Sequence, residues 1–410
     1  MTHLHVPAWM PRLAFAPAQS APRGDVLVVV FLRGAADALN IVVPHGEDAY
    51  YGLRPTLAIA RPDDRRVTAN LRALDLDGFF GIHPALSPLL GAWQAGHLAF
   101  VHACGAPDES RSHFRAMELM ERGVDSESGP ASGWVGRHLA TLNTGNASPL
   151  RAVGIGPTTP RSLTGSVPVA ALESIADFHL GGDRRIVSAM QSALAALYAP
   201  TNALDSSGGS SNLLDVSRGT LDILQTLQAL DPAHDTPKHD ARYPDSSFGL
   251  GLKQIAMLIK AEVGLEVAAI DVGGWDTHFA QGSAEGGMAG LLRDVGDGLS
   301  AFHADALDFA SRLTVVVMSE FGRRAQENAS LGTDHGHGSV MWLMGGHVAG
   351  RRVHGRWPGL ADGQLVGPGD LAVTTDYRDV LAEVCQKRLN NTALDVIFPN
   401  YKATARQVVV

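Results

Sequence analysis

Two cysteines in 410 residues, Cys104 and Cys385, exclude a disulfide scaffold and a cysteine-based structural zinc site, and leave the redox compartment open. No run of about 18 uninterrupted apolar residues occurs, so the sequence predicts no bilayer-spanning helix. Positive charge is in deficit: 33 Lys plus Arg stand against 42 Asp plus Glu, a formal net charge of −9. With no basic run to offset phosphate repulsion, nucleic acid is not an expected partner. Charged residues are only 18% of the chain while glycines number 45, a balance that suits a compact, loop-rich enzyme better than a disordered or coiled-coil protein. A 45% hydrophobic content is enough for a sizeable core, and the chain reads as one large domain, 25–410, behind a leader, 1–24.

The leader contains Val6–Pro17, apolar and proline-rich, with the small-x-small pattern Ala14-Phe15-Ala16. This reads as the tail of an export signal, although Arg12 interrupts it and no twin-arginine segment precedes it. The expectation is a periplasmic or secreted protein, with a cytoplasmic one as the alternative. Beyond the leader, Asp25–Leu32 is a continuous β-branched run of the kind buried on both faces of a parallel sheet. Further strands are predicted at His97–His102, Ala152–Ile155, Val167–Leu172, Leu265–Ile270, Leu313–Ser319 and Val340–Met344. Helices are predicted at Pro84–Ala95, Ser112–Arg122, Ile186–Tyr198, Leu213–Leu230, Gly249–Val263, Met288–Arg312 and Thr375–Leu389, with Thr375 or Asp376 capping the last. This alternation predicts an α/β fold with a doubly wound, mostly parallel sheet flanked by helices. The low-complexity piece Asn202–Asn212 reads as a flexible connection within a helical insertion or cap spanning 160–245.

Chemistry-bearing residues gather after two of the predicted strands. The run Val267–Ile270 leads into Gly273-Gly274-Trp275-Asp276-Thr277-His278. The run Thr314–Met318 leads into Ser319-Glu320-Phe321-Gly322-Arg323 and then Thr333-Asp334-His335-Gly336-His337-Gly338. Carboxylate oxygen and imidazole nitrogen together suit zinc, manganese or iron, and open α/β sheets bind ligands beyond the carboxyl ends of their strands. In an extended segment Asp276 and His278 point to one side and can chelate one ion. The bland alternative is a helix-capping Asp276 beside a surface His278. For Glu320 it is a strand-end acid paired with Arg323 or Arg324, and for the double-histidine loop a mobile polar turn. Arg323 also has the planar fork that fits a phosphate or sulfate oxyanion. A third segment, Glu109-Ser110-Arg111-Ser112-His113-Phe114-Arg115, opens a predicted helix whose N-terminus favours negative charge. Ser112 is the first candidate nucleophile and Ser110 the second, with helix capping as the competing role.

With those residues in hand, the chain resembles the DUF1501 family of bacterial proteins, itself similar to the alkaline phosphatase and sulfatase superfamily. The resemblance rests on Phe31–Asn40, Gly81–Leu86, Arg111–Phe114, Gly273–His278, Ser319–Arg323 and Thr333–Gly338. It implies an alkaline-phosphatase-like fold with one or two divalent ions at the sheet edge, zinc first, with manganese, iron, calcium or magnesium as alternatives. It further implies Asp37 as the early carboxylate, Ser112 as nucleophile, Asp276 and His278 as a ligand pair, Glu320 as the late acid, and His335 or His337 as the closing imidazole. Asp334 completes the candidate ligands, and Arg33, Asn40, His113 and Arg323 are candidate substrate contacts. Three departures stand out: the Asp276 to His278 spacing is shorter than the superfamily's usual pair, Phe321 follows Glu320 where Asp-His is the superfamily pattern, and no sulfatase Cys/Ser-x-Pro-x-Arg motif surrounds Cys104 or Ser112. The implied activity is metal-dependent hydrolysis of a phosphate or sulfate ester, on a small molecule or polymer. The alternatives are an exported envelope-binding protein without catalysis and a metal-dependent isomerase or phosphomutase.

Overall fold

The computed structural model describes residues 24–173 and 235–410, together with Ile223, Thr226, Leu227 and Leu230. The leader, the predicted helix Ile186–Tyr198, the linker Asn202–Asn212, and all but four residues of Leu213–Leu230 lie outside the described residues, as does most of the expected insertion.

The core is an α/β arrangement around a mixed, mostly parallel sheet of nine strands. Strand β1 (Val26–Leu32) sits at its centre because all seven of its residues, VLVVVFL, are buried. The small ribbons β2 (Val42–Val43), β3 (Leu74–Asp75) and β4 (Gly81–Ile82) form a separate antiparallel sheet beside it. The remaining strands are β5 (Leu98–Gly105), β6 (Ala152–Ile155), β7 (Ala170–Leu172), β8 (Val267–Val272), β9 (Leu313–Met318), β10 (Arg323–Glu327), β11 (Thr333–His335), β12 (Ser339–Met344), β13 (Arg352–His354) and β14 (Thr375–Asp376). The central order is β13-β5-β12-β9-β1-β8-β6-β7, with β14 continuing along the outer side of β5. Strand β1 pairs in parallel with both β8 and β9, so that Val28 lies beside Ala268 and Val315. Strand β12 alone runs antiparallel to its neighbours β5 and β9.

The helices are α1 (Ala38–Ile41), α2 (Asp48–Leu53), α3 (Leu90–Gln94), α4 (His113–Arg122), α5 (Trp134–Thr141), α6 (Ser247–Lys260), α7 (Gly287–Asp305), α8 (Tyr377–Lys387) and α9 (Leu394–Ile397). Strand alternation splits β1 between two cores. Val26, Val28, Val30 and Leu32 pack with Leu252 and Ile255 of α6 and Leu292, Val295 and Leu299 of α7. On the opposite face Leu27, Val29 and Phe31 pack with Val135 and Leu139 of α5 and Val380, Leu381 and Val384 of α8. Helices therefore cover both faces, which is why the central strands carry no polar alternation.

Local chemistry adjusts several predicted elements. The predicted helix Pro84–Ala95 is a 3-10 turn, Pro84–Leu89, followed by α3, because Pro88 has no N–H for an α-helical hydrogen bond. The predicted Met288–Arg312 divides into α7 and a 3-10 segment, Leu307–Arg312. Thr375 belongs to β14, and the Asp376 side chain caps α8 by accepting from the Arg378 N–H. Helix α5 and the hairpin of β10 with β11 have no counterpart in the sequence reading. Cys104 and Cys385 are both buried free thiols, and burial pushes both thiols up. Among the described residues no helix is long and apolar enough to cross a membrane.

Candidate metal centre

Four parallel strands release their connecting segments at one edge of the sheet. From β5 comes the segment leading to Ser112 and α4, from β1 the loop Arg33–Asp37, from β8 the loop Gly273–His278, and from β9 Ser319–Gly322. Because β12 is antiparallel it starts at this same edge, directly after the hairpin strand that carries Asp334 and His335. Two glycines let these loops lie against one another. Gly34 has φ +120°, and a Cβ there would sit 2.6 Å from the Asp276 backbone nitrogen; at Gly336 a Cβ would sit 2.3 Å from the Arg323 carbonyl carbon.

What the packed loops create is a convergence on one carboxylate oxygen. Asp276 Oδ1 lies 3.1 Å from His335 Nε2, 3.2 Å from His278 Nε2 and 3.4 Å from His113 Nε2. The His278 and His335 Nε2 atoms are 2.9 Å apart. His113, Asp276 and His335 each present an atom within 4.8 Å of the other two. The His113 ring is wedged in place, stacked on Phe321 at 5.1 Å and edge-on to His335 at 4.3 Å.

Each imidazole is gripped from behind through Nδ1. For His113 the partner is Glu320 Oε1 at 2.7 Å, for His335 the Arg111 carbonyl at 2.9 Å, and for His278 Asp334 Oδ1 at 3.4 Å. These partners only accept hydrogen bonds, so they assign the proton of each neutral ring to Nδ1 and leave the Nε2 lone pair facing inward. Three lone pairs and a carboxylate then point at one another. Consistent with that, His113 Nε2 is buried without a hydrogen-bond partner. A cation placed among them would resolve this conflict, and imidazoles backed by carboxylates or carbonyls are the usual outer support of metal-ligating histidines. Three imidazole nitrogens and one carboxylate oxygen form a set that suits zinc or another divalent transition metal.

Charge tuning agrees with the geometry. Burial acts to raise the Asp276 carboxyl, but the Arg323 hydrogen bond, together with the adjacent His335 ring, outweighs it and holds the pKa at about 2. The hydrogen bond to Glu320 raises the His113 pKa against the pull of burial, whereas for His335 burial dominates and lowers it. Asp334 is held below the usual carboxylate range, first by the Asn328 amide and then by His278.

The sequence candidates divide between ligand positions and supports. Asp276, His278 and His335 meet, and His113, expected to contact substrate, joins them as a candidate ligand. Glu320 is fully buried behind His113, accepting also from the Gly34 and Ala35 N–H groups at 2.8 and 3.1 Å. Asp334 backs His278. Asp37 is turned elsewhere: its carboxylate is held by Arg54 at 2.5 and 3.0 Å and by Gln281 at 2.7 Å. His337 points away as well, its Nε2 donating to the Ala106 carbonyl at 2.8 Å while its side chain lines a separate cavity of about 380 Å³. Arg323 is buried with its guanidinium engaged by the Ala35, Thr333, Gly34 and Trp275 carbonyls and by Asp276, so it positions Asp276 instead of facing a ligand. Arg33 pairs with Glu121 and Asp271, and Asn40 is buried among Leu57, Tyr50 and Arg54.

Ser112 occupies the N-cap position of α4, yet its hydroxyl makes no capping hydrogen bond and the residue is exposed. Ser110 Oγ accepts from the Ser112 N–H at 3.2 Å. Ser112 thus sits between the carbonyl that holds His335 and the imidazole that faces Asp276. Sequence reasoning missed the supports Asn328, Gln281 and Arg54 and the role of the Arg111 carbonyl. A backbone oxygen leaves no residue-type signal, Gln281 lies 244 residues from the Asp37 it holds, and neither Arg54 nor Asn328 belongs to a motif that marks its partner.

Fold and site define an α/β protein with a candidate metal cluster of His113, Asp276 and His335, flanked by His278, at the C-terminal edge of its sheet. The chain belongs to the family described as "Protein of unknown function (DUF1501)", which matches residues 25–392 and so spans the whole cluster. No curated protein matches the chain.

Proposed function

We propose that this protein is a metal-dependent hydrolase of phosphate or sulfate esters, built on an alkaline-phosphatase-like form of the α/β fold, with Ser112 as the nucleophile. The observation that carries the reading is the convergence of three Nδ1-anchored imidazoles on Asp276 Oδ1. The donor set fits one ion, held by His113, His278, His335 and Asp276, because Asp37 and Glu320 are already engaged by other partners. A divalent ion there would polarise the ester and favour the ionised form of a nearby hydroxyl.

The chain's own groups do the rest. The Ser112 hydroxyl, unused as a cap, begins the helix next to a liganding histidine, where the α4 N-terminus favours negative charge on oxygen. Arg323 fixes Asp276 through a 2.6 Å hydrogen bond, and Glu320 fixes the His113 tautomer. The guanidinium groups at the rim that retain free donors are Arg111, bound to Asp370 through Nη2 only, and Arg324, whose nearest acid is Asp334 at 3.6 Å. In this reading both would supply donors to an anionic ester. Protein prepared without chelator is expected to carry about one transition-metal ion per chain and to turn over chromogenic phosphate or sulfate esters. Ser112→Ala should lose at least about a hundredfold in turnover while keeping the ion. Absence of both bound metal and ester turnover overturns the reading.

A further inference from the structure

Phe114 and Phe279 are the exposed large aromatic side chains among the described residues, at 86% and 77% exposure. Each directly follows a candidate ligand, Phe114 after His113 and Phe279 after His278. Phe114 lies in the first turn of α4 and Phe279 in the loop beyond β8, the two segments that bring His113 and His278 to Asp276. Leu331, also exposed, lies beside the segment that carries Phe279, where its carbonyl accepts from the Gln281 N–H at 2.8 Å. The other described phenylalanines are buried or half-buried, so two bare rings at one metal centre are not a general property of this surface. Large apolar groups kept in water beside a polar site mark a place where an apolar group is bound.

Resting on the ester-hydrolase reading, we infer that the substrate is an amphiphile: an anionic ester whose alcohol portion is an aryl or alkyl group clasped between Phe114 and Phe279. The acidic head meets the histidine cluster and the arginine rim, and the apolar alcohol leans on the rings. Net hydrolysis breaks the bond between phosphorus or sulfur and the alcohol oxygen; water gives its oxygen to the acid and a proton to the departing alcohol. A single small molecule is favoured over a bilayer as occupant. The arginines around the mouth alternate with Asp108, Glu109, Glu127 and Asp334 and form no basic ring for anionic lipid.

The test compares full-length, metal-loaded wild type with Phe114→Ser/Phe279→Ser; both side chains are bare, so the fold and the metal content should be unchanged. Binding of phenylphosphonate and methylphosphonate, and of the matching sulfonates, is measured by calorimetry. Wild type is expected to prefer the phenyl ligand by at least about tenfold, and the variant to bind both alike. A phenyl preference that is missing in wild type, or retained in the variant, overturns the clasp. Turnover of methyl phosphate without any phenyl preference sinks the clasp and leaves the hydrolase standing; a phenyl preference without turnover of any ester sinks the hydrolase and leaves the clasp. Wild-type co-sedimentation with phosphatidylcholine/phosphatidylglycerol vesicles, lost in the variant, replaces the small amphiphile with a membrane surface.

Discussion

Asp37 and Asp276 follow neighbouring parallel strands, and both are grasped by a buried arginine, yet one is closed and the other open. Every ligand direction of Asp37 is taken: Arg54 holds both oxygens, Gln281 donates at 2.7 Å, and the Leu39 N–H at 3.3 Å, with no side-chain exposure. Asp276 is 49% exposed, and its Oδ1, which accepts from Arg323 on one side, is approached on the other by three imidazole nitrogens. A saturated carboxylate is a strut, and one left exposed beside inward-facing lone pairs is a candidate site. The strut also serves the site. Gln281 bonds Asp37 through its nitrogen and accepts from Thr277 and Thr333 through its oxygen, tying the two loops that carry His278 and Asp334.

The contrast is broken most directly at the closed end. Asp37→Ala leaves the Arg54 guanidinium buried without its counter-charge, and loss of one partner of a buried pair costs about 3 to 5 kcal/mol. Urea unfolding should show that loss, while the folded fraction still binds metal at the wild-type stoichiometry. A variant that keeps its stability and loses its metal would make Asp37 a ligand and erase the distinction.

A smaller effect sharpens the open end. Glu320→Gln retains an oxygen to accept from Gly34 and Ala35 but removes the negative charge behind His113. Removal of such a support costs about 10- to 100-fold in metal affinity. Competition with a chromogenic chelator should read that weakening with little change in unfolding midpoint. Unchanged affinity would mean that His113 is not a ligand, and the cluster would reduce to Asp276, His278 and His335.

How far this could be read from sequence follows the same division. Central strands were legible because burial on both faces writes an unbroken apolar run; Ala152–Ile155 matches β6 residue for residue, and Asp25–Leu32 differs from β1 by one residue. The hairpin of β10 and β11 was not, because Arg323–Glu327 is polar and its pairing is set by contacts with other loops. In the site, residue types named the participants but could not rank them. Asp37 and Asp276 look equivalent until Arg54, brought in from α2 and its following turn, saturates one of them. His335 and His337 sit two apart in a glycine-rich loop, and only the placement of Arg111 and Ala106 carbonyls decides which one turns inward.

Histidines show the closed and open states too, and pH separates them by the smallest of these effects. His102 is fully satisfied while neutral: its Nε2–H donates to the Val42 carbonyl at 3.0 Å and its Nδ1 accepts from the Ala103 N–H at 2.8 Å. Burial pushes its pKa down to about 4, with the Val42 hydrogen bond and the Asp37 charge opposing. The unfolded chain, with an ordinary imidazole near 6.5, therefore binds the extra proton between roughly pH 6.5 and 4, and stability falls as pH falls through that window. From pH 7 to pH 6 the cost from this one ring is about 0.7 kcal/mol. The amide in His102→Gln can donate and accept without titrating. Wild type should therefore lose about 0.7 kcal/mol more than this variant between the two pH values, the subtraction cancelling every other histidine. Parallel pH profiles for the two proteins would show that His102 carries a proton in the folded state, and that burial with both nitrogens bonded does not suffice to keep an imidazole neutral here.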